Sequence, residues 1–286
     1  MRMRRLAEGL AWPEGPVVLP GERIAFVETY RSQVSVYETG RPVRRLAYTG
    51  GGPNAAVTGP DGAVYVTQNG GVVGPWRAED TRAPSIQRID ATGAVEELVT
   101  DVGGIKLGAP NDLVFGADGR LYFTDPGGPF DPEHRPDPGR VLAVALDGAG
   151  EVIAELPPVY PNGIAAQPDG GIVWAESYPR ALQRRRPDGT VTEVHRFADE
   201  AAVPDGFKIA PDGRYYVATV TSGGVHILTP DGDLAGFIPV GMTPTNCAID
   251  GSALIVTDGG RPGDTQAASA GGVLWLIEDL VTEDTG

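Results

Sequence analysis

Short apolar runs separated by Gly/Asp turns recur along the chain in pairs. Six copies share one layout: an acidic or amide residue, an apolar strand, a tight turn, and a second strand. They are EGPVVLPGERIAFVE from Glu14, NAAVTGPDGAVYVTQ from Asn54, NDLVFGADGRLYFTD from Asn111, NGIAAQPDGGIVWAE from Asn162, DGFKIAPDGRYYVAT from Asp205 and NCAIDGSALIVTD from Asn246. Asp-Gly between alternating apolar runs predicts a hairpin, since both residues tolerate positive φ. It stands at Asp61, Asp118, Asp169 and Asp212, while the sixth copy turns early at Asp250-Gly251.

A second hairpin follows each of the first five copies, as in VLAVALDGAGEVIAEL from Val141. Four strands per unit, repeated six times, predict an all-β six-bladed β-propeller occupying residues 1–286 as one domain. The sixth unit has one further strand, GVLWLI from Gly272, so residues 3–10 are expected to supply its outer strand and close the ring. Closure leaves few free edges. No window carries a sustained 3.6-residue period, so no helix is expected.

Equivalent positions in a radial repeat converge on its axis. The first residues of the six copies should ring one mouth of the channel. A second polar ring, Glu28, Gln68, Asp125, Glu176, Thr219 and Asp258, should stand beside it. Three long loops open at the same mouth, residues 69–84, 126–139 and 259–271. They offer Trp76, Arg77, Phe130, His134, Arg135 and Arg261 to a pocket.

Composition narrows the partners. There are 41 Gly and 26 Pro, but they punctuate strands rather than scatter. A formal charge of −15 argues against nucleic acid or anionic membrane as a partner and suits cation binding. The lone Cys247 lies in an apolar run and reads as a buried small hydrophobe. The basic N-terminal segment is followed by no long apolar stretch, so a cytoplasmic protein, monomeric or a small homo-oligomer, is expected.

Glu14, Asn111, Asn162 and Asp205 bring two carboxylates and two amide carbonyls. This hard-oxygen set favours one divalent ion: Ca²⁺ first, then Mg²⁺, Mn²⁺ or Zn²⁺. At these positions the chain resembles the gluconolactonase/regucalcin (senescence-marker-protein) family of six-bladed metal propellers. The matches are Glu-Gly-Pro at Glu14, Pro-Asn-Asp-Leu at Pro110 with LYFTDP at Leu121, Pro-Asn-Gly-Ile at Pro161, and Pro-Asp-Gly at Pro204. The resemblance implies Glu14, Asn111, Asn162 and Asp205 as metal ligands. Sugar-lactonase members often carry an Arg where this chain has Ala109, a departure that weighs against an aldonolactone substrate.

A divalent ion in such a cup polarises a carbonyl and acidifies water, which suits opening of a lactone or small ester. Asp205 is the expected base through an oxygen free of the metal, the other option being a hydroxide formed at the ion. Asn54, Trp76, His134 and Arg135 are expected at the small-molecule substrate. Asp112, which should point away from the ligand before it, is expected behind the ligands together with Asp125 and Glu176. The alternatives are a metal- or ligand-binding propeller without turnover, or a lyase, isomerase or phosphotriesterase on the same cup. The long loops favour an enclosed small-molecule pocket over a smooth docking face.

Overall fold

The Asp-Gly turns form as hairpins, though by a different device from the one expected. At Gly62, Gly119, Gly170 and Gly213 only the glycine takes positive φ. Each Asp instead accepts a hydrogen bond from the amide two residues on, as Asp61 does from Ala63 at 3.2 Å and Asp118 from Arg120 at 3.1 Å. This is a three-residue turn with its glycine in the left-handed position.

The computed structural model describes residues 1–261 and 270–280. It contains six four-stranded antiparallel sheets, and no α-helix occurs among the described residues. Blade one runs Pro13–Leu19, Arg23–Glu28, Gln33–Glu38 and Arg44–Tyr48. Blades two to five follow the same meander, with inner strands Pro53–Thr58, Leu113–Phe115, Pro161–Ala166 and Pro204–Ile209. Each inner strand packs against those of both neighbouring blades, which completes a ring. The chain is a six-bladed β-propeller.

Blade six closes as its strand count requires. Its own strands are Pro244–Asp250, Ala253–Asp258 and Gly272–Glu278, and the N-terminal strand Arg2–Leu10 supplies the fourth. That strand lies antiparallel to Gly272–Glu278, with Arg2 opposite Glu278 and Leu10 opposite Gly272. Two small hairpins not expected from the pattern decorate blade two. One pairs Val72–Val73 with Trp76–Arg77 in the long loop, and the other pairs Asp101–Val102 with Ile105–Lys106.

The apolar core is divided into six clusters, one per blade interface. Tyr65 and Ile86 meet Leu113 and Phe123 between blades two and three, and Trp174 and Ile164 meet Tyr122 and Val141 between three and four. Cys247 is fully buried between blades five and six, its thiol pushed up to about 12 by desolvation, as an inert small hydrophobe should be. Stability therefore resides between blades, which leaves the axis free for polar groups. No helix among the described residues is long and apolar enough to cross a membrane.

Candidate metal centre

Every inner strand is entered through a proline: Pro13, Pro53, Pro110, Pro161, Pro204 and Pro244. Proline lacks an N–H and so suits the first residue of a strand. Pro13, Pro53, Pro161 and Pro204 pair with Glu28, Gln68, Glu176 and Thr219, and a bulge follows each pair. A bulge re-aims the side chain beside it. The residue after each proline is thus delivered at one level: Glu14, Asn54, Asn111, Asn162, Asp205 and Thr245.

The sixth member corrects the expected register. Pro244 pairs with Asp258, so Thr245, not Asn246, occupies the anchor position. Its hydroxyl donates to the Pro13 carbonyl at 2.8 Å and latches blade six to blade one. Similar latches run from Thr67 to the Asn111 carbonyl and from Thr124 to the Asn162 carbonyl, both at 2.6 Å. They hold the backbone of two expected ligands against the preceding blade.

The structure brings Glu14, Asn111, Asn162 and Asp205 into one buried hub, all at 8% exposure or less. Burial pushes the Glu14 carboxyl well above its usual range, and the nearby charges of Asp205 and Asp112 add to the rise. Asp205 is raised likewise, first by burial and then by Asp112. The Asn162 amide offsets part of the rise at Asp205 and the Asn111 amide part of that at the Tyr160 phenol, which feels both carboxylates.

A hard cation fits this donor set. The Asn162 amide nitrogen donates to Ser177 Oγ at 3.1 Å, which fixes the amide orientation, yet its Oδ1 is buried with no hydrogen-bond partner. An orphaned amide oxygen beside two like-charged buried carboxylates is an arrangement a divalent ion would relieve. Among the described residues no group of three or more His, Cys, Asp and Glu gathers as a metal cluster. The candidate set has two carboxylates and relies on amides for the rest.

The next residue along each strand lies deeper. Here Gly15, Gly163 and Gly206 are required by space: a Cβ at Gly15 would lie 2.4 Å from Ala55 Cα, and one at Gly163 2.4 Å from the Asp205 carbonyl. Blades three and six place Asp112 and Asn246 at this level, and the Asn246 amide donates to Asp112 Oδ2 at 3.3 Å. Lys208 Nζ lies 3.3 Å from Asn246 Oδ1 and 4.0 Å from Asp112. Strand alternation was expected to turn Asp112 away. From this level, behind the ligands, its charge bears on both Glu14 and Asp205, with Lys208 as its counter-ion.

The second polar ring clamps backbone. Asp125 accepts from the amides of Gly108, Ala109 and Gly127 at 2.8–3.0 Å, pinning the segment that enters Asn111. Glu28 holds Ala11 and Asp258 holds Thr243 in the same way, each at 2.9 Å. Glu176 accepts from Trp174 Nε1 at 3.1 Å, and Asn162 is oriented by the adjacent Ser177 instead.

Above the hub lies a cavity of about 30 Å³, lined by Asn54, Asn69 and Asn111 with Val72, Val73, Ala109, Phe130 and Tyr160 among the rest. Asn54 belongs to it and donates to the Asn111 carbonyl at 3.2 Å. Of the expected loop contacts, only Phe130 lines the cavity among the described residues. Trp76 is 8% exposed and stacks on Tyr30, which stacks on Trp12, at centroid distances of 5.0 and 5.4 Å. His134 is exposed and bonded to Asp131 at 2.9 Å, and Arg135 lies over the Tyr178 ring. Loop 126–139 contributes Phe130 instead. Arg261 ends a described segment, and residues 262–269 of the third loop lie outside the described residues.

Tyr160 is the site residue the sequence reading missed. It precedes Pro161 and sits at φ 53°, a left-handed conformation uncommon for a non-glycine residue. Burial, then Asp205, raises its phenol above the ordinary range. An aromatic immediately before an anchor proline, shared only with Trp12, was the available signal.

Residues 12–258 match the family described as SMP-30/Gluconolactonase/LRE-like region. A gluconolactonase of Zymomonas mobilis is 27% identical over 280 residues, covering 85% of this chain and 74% of that protein. A gluconolactonase structure from Xanthomonas campestris superimposes with a TM-score of 0.78 at 24% identity, covering 97% of this chain and 89% of that one. Regucalcin of Agrobacterium tumefaciens, described as a calcium-binding protein, gives 0.74 at 20% identity, covering 96% and 93%. The chain belongs to the SMP-30/gluconolactonase/LRE-like family.

Proposed function

We propose that this protein is a lactonase-type hydrolase that opens a lactone or related small ester with one divalent ion held by Glu14, Asn111, Asn162 and Asp205. The relatives named gluconolactonase support the reaction class. The observation that carries the metal is the unpartnered Asn162 Oδ1 beside two buried, mutually repelling carboxylates. Calcium is the first choice, in line with the calcium-binding description of the regucalcin neighbour.

When bound, the ion would polarise the substrate carbonyl and offset the charge that develops on its oxygen. Asp205 takes the proton of the attacking water. Tyr160 keeps its proton, because burial and Asp205 disfavour the phenolate, and so it can donate a hydrogen bond at the cup's edge. Ser177 keeps the Asn162 oxygen turned into the hub. Asn54, tied to the Asn111 carbonyl, lines the cavity.

The test is a panel of lactones followed by proton release, after chelation and after restoring Ca²⁺, Mg²⁺, Mn²⁺ or Zn²⁺ separately. Turnover that vanishes on chelation and returns with metal is expected. Undiminished turnover after exhaustive chelation would remove the ion from the reaction.

A further inference from the structure

The groups that face the cup from above are almost all uncharged, and many are apolar. Val72, Val73, Ala109, Phe130 and Tyr160 wall the cavity, and no charged side chain lines it among the described residues. The residues immediately before the six anchor prolines, which frame the mouth, are Trp12, Gly52, Ala109, Tyr160, Val203 and Thr243. None carries a charge, and two are aromatic.

The nearby cations are engaged elsewhere. Arg82 pairs with Asp80 at 2.7 Å, Arg77 donates to the Trp76 carbonyl at 2.7 Å, and Arg135 donates to the Pro132 carbonyl while covering Tyr178. The amides in the wall are partly committed too. Asn69 Oδ1 accepts from Gly71 N at 2.9 Å, and Asn54 Nδ2 donates to the Asn111 carbonyl. Among the described residues, the Asn54, Asn69 and Asn111 amides and the Tyr160 hydroxyl are the polar side chains left to replace the water that several sugar hydroxyls would lose on entry, and a hydroxyl buried without a partner opposes binding.

We infer that the substrate is an uncharged lactone carrying an alkyl substituent, and not a polyhydroxylated or anionic sugar lactone. This rests on the hydrolase reading above. The Val72, Val73, Ala109 and Phe130 side chains are the apolar wall that an alkyl substituent on the ring would meet.

The test compares two six-membered rings, δ-hexalactone and glucono-δ-lactone, on the Ca²⁺-supplemented protein. The expected kcat/KM favours δ-hexalactone by roughly tenfold or more, the discrimination an apolar pocket gives per methylene. Ala109→Arg, which places a guanidinium in the wall, should lower that ratio at least several-fold. Equal or faster cleavage of glucono-δ-lactone by the unaltered protein would overturn the inference and leave the hydrolase reading standing. If neither lactone is cleaved, the hydrolase reading fails, and calorimetric binding of the matching lactams decides the pocket separately. Tighter binding of 6-methyl-2-piperidone than of gluconolactam sustains the inference, and the reverse order ends it.

Discussion

The two polar rings of this propeller are built from the same residue types thirteen or fourteen positions apart, yet they do opposite things. In the outer ring the Asp125 carboxylate accepts three backbone amides, and Glu28 and Asp258 are likewise bonded to the strand-entry segments. In the inner ring Glu14 and Asp205 face one another's charge, and Asn162 keeps an oxygen with no partner. Both rings are buried, apart from the half-buried Asn54. Burial of a carboxylate is thus no mark of chemistry by itself. The mark is a buried acceptor left unsatisfied beside carboxylates that raise one another, as at Asn162 and unlike the isolated orphaned oxygens of Gln87 and Gln167.

The contrast breaks most sharply at Asp205. Asp205→Ala should lower turnover by roughly 10²–10⁴, the usual contribution of a positioned base, and calorimetry should show weakened Ca²⁺ binding. Full activity would take Asp205 out of the reaction. Ser177→Ala and Asp125→Asn sharpen the comparison further. The first frees the Asn162 amide and should weaken Ca²⁺ binding by about 10–100-fold with little change in Tm. The second leaves backbone amides without an ionised acceptor and should cost about 1–3 kcal/mol of stability, with a smaller effect on affinity. A reversed ranking would mean that the rings do not divide position from chemistry in this way.

Lys208→Met should act in the opposite sense. Its ammonium offsets Asp112 beneath the hub, so its loss should tighten Ca²⁺ binding several-fold while lowering Tm. Unchanged affinity would disconnect the deeper tier from the cup. The smallest effect concerns His226, far out on blade five, whose pKa is lowered first by burial and then by His195. The folded state binds its proton less readily than the unfolded state, so stability should fall as pH drops through the unfolded value of about 6.5. His226→Gln should flatten the slope of Tm against pH between 7 and 5.5. An unchanged slope would assign that dependence elsewhere.

Much of this was legible in the chain because a radial repeat writes its geometry as spacing. The Asp-Gly turns announced the hairpins, the missing strand of blade six announced the ring closure, and the oxygen-bearing first residues of the repeats pointed to the axis. What stayed hidden depended on bulges and on cross-ring proximity. The bulge at Pro244 is one residue different from the others, so Asn246 was read as an anchor when Thr245 holds that place. Alternation places Asp112 behind the ligands but does not reveal its partners, Lys208 and Asn246 of blades five and six. Trp76 looked free for a ligand because no spacing rule reveals that Tyr30 covers it.

The most direct test is anomalous diffraction from crystals grown with Mn²⁺, collected on the wild-type protein and on Glu14→Gln. One strong peak bounded by the Glu14 and Asp205 carboxylates and the Asn111 and Asn162 carbonyl oxygens is predicted, weakened or lost in the variant. A hub without a peak in wild type, or a peak seated on the outer ring, would contradict the account.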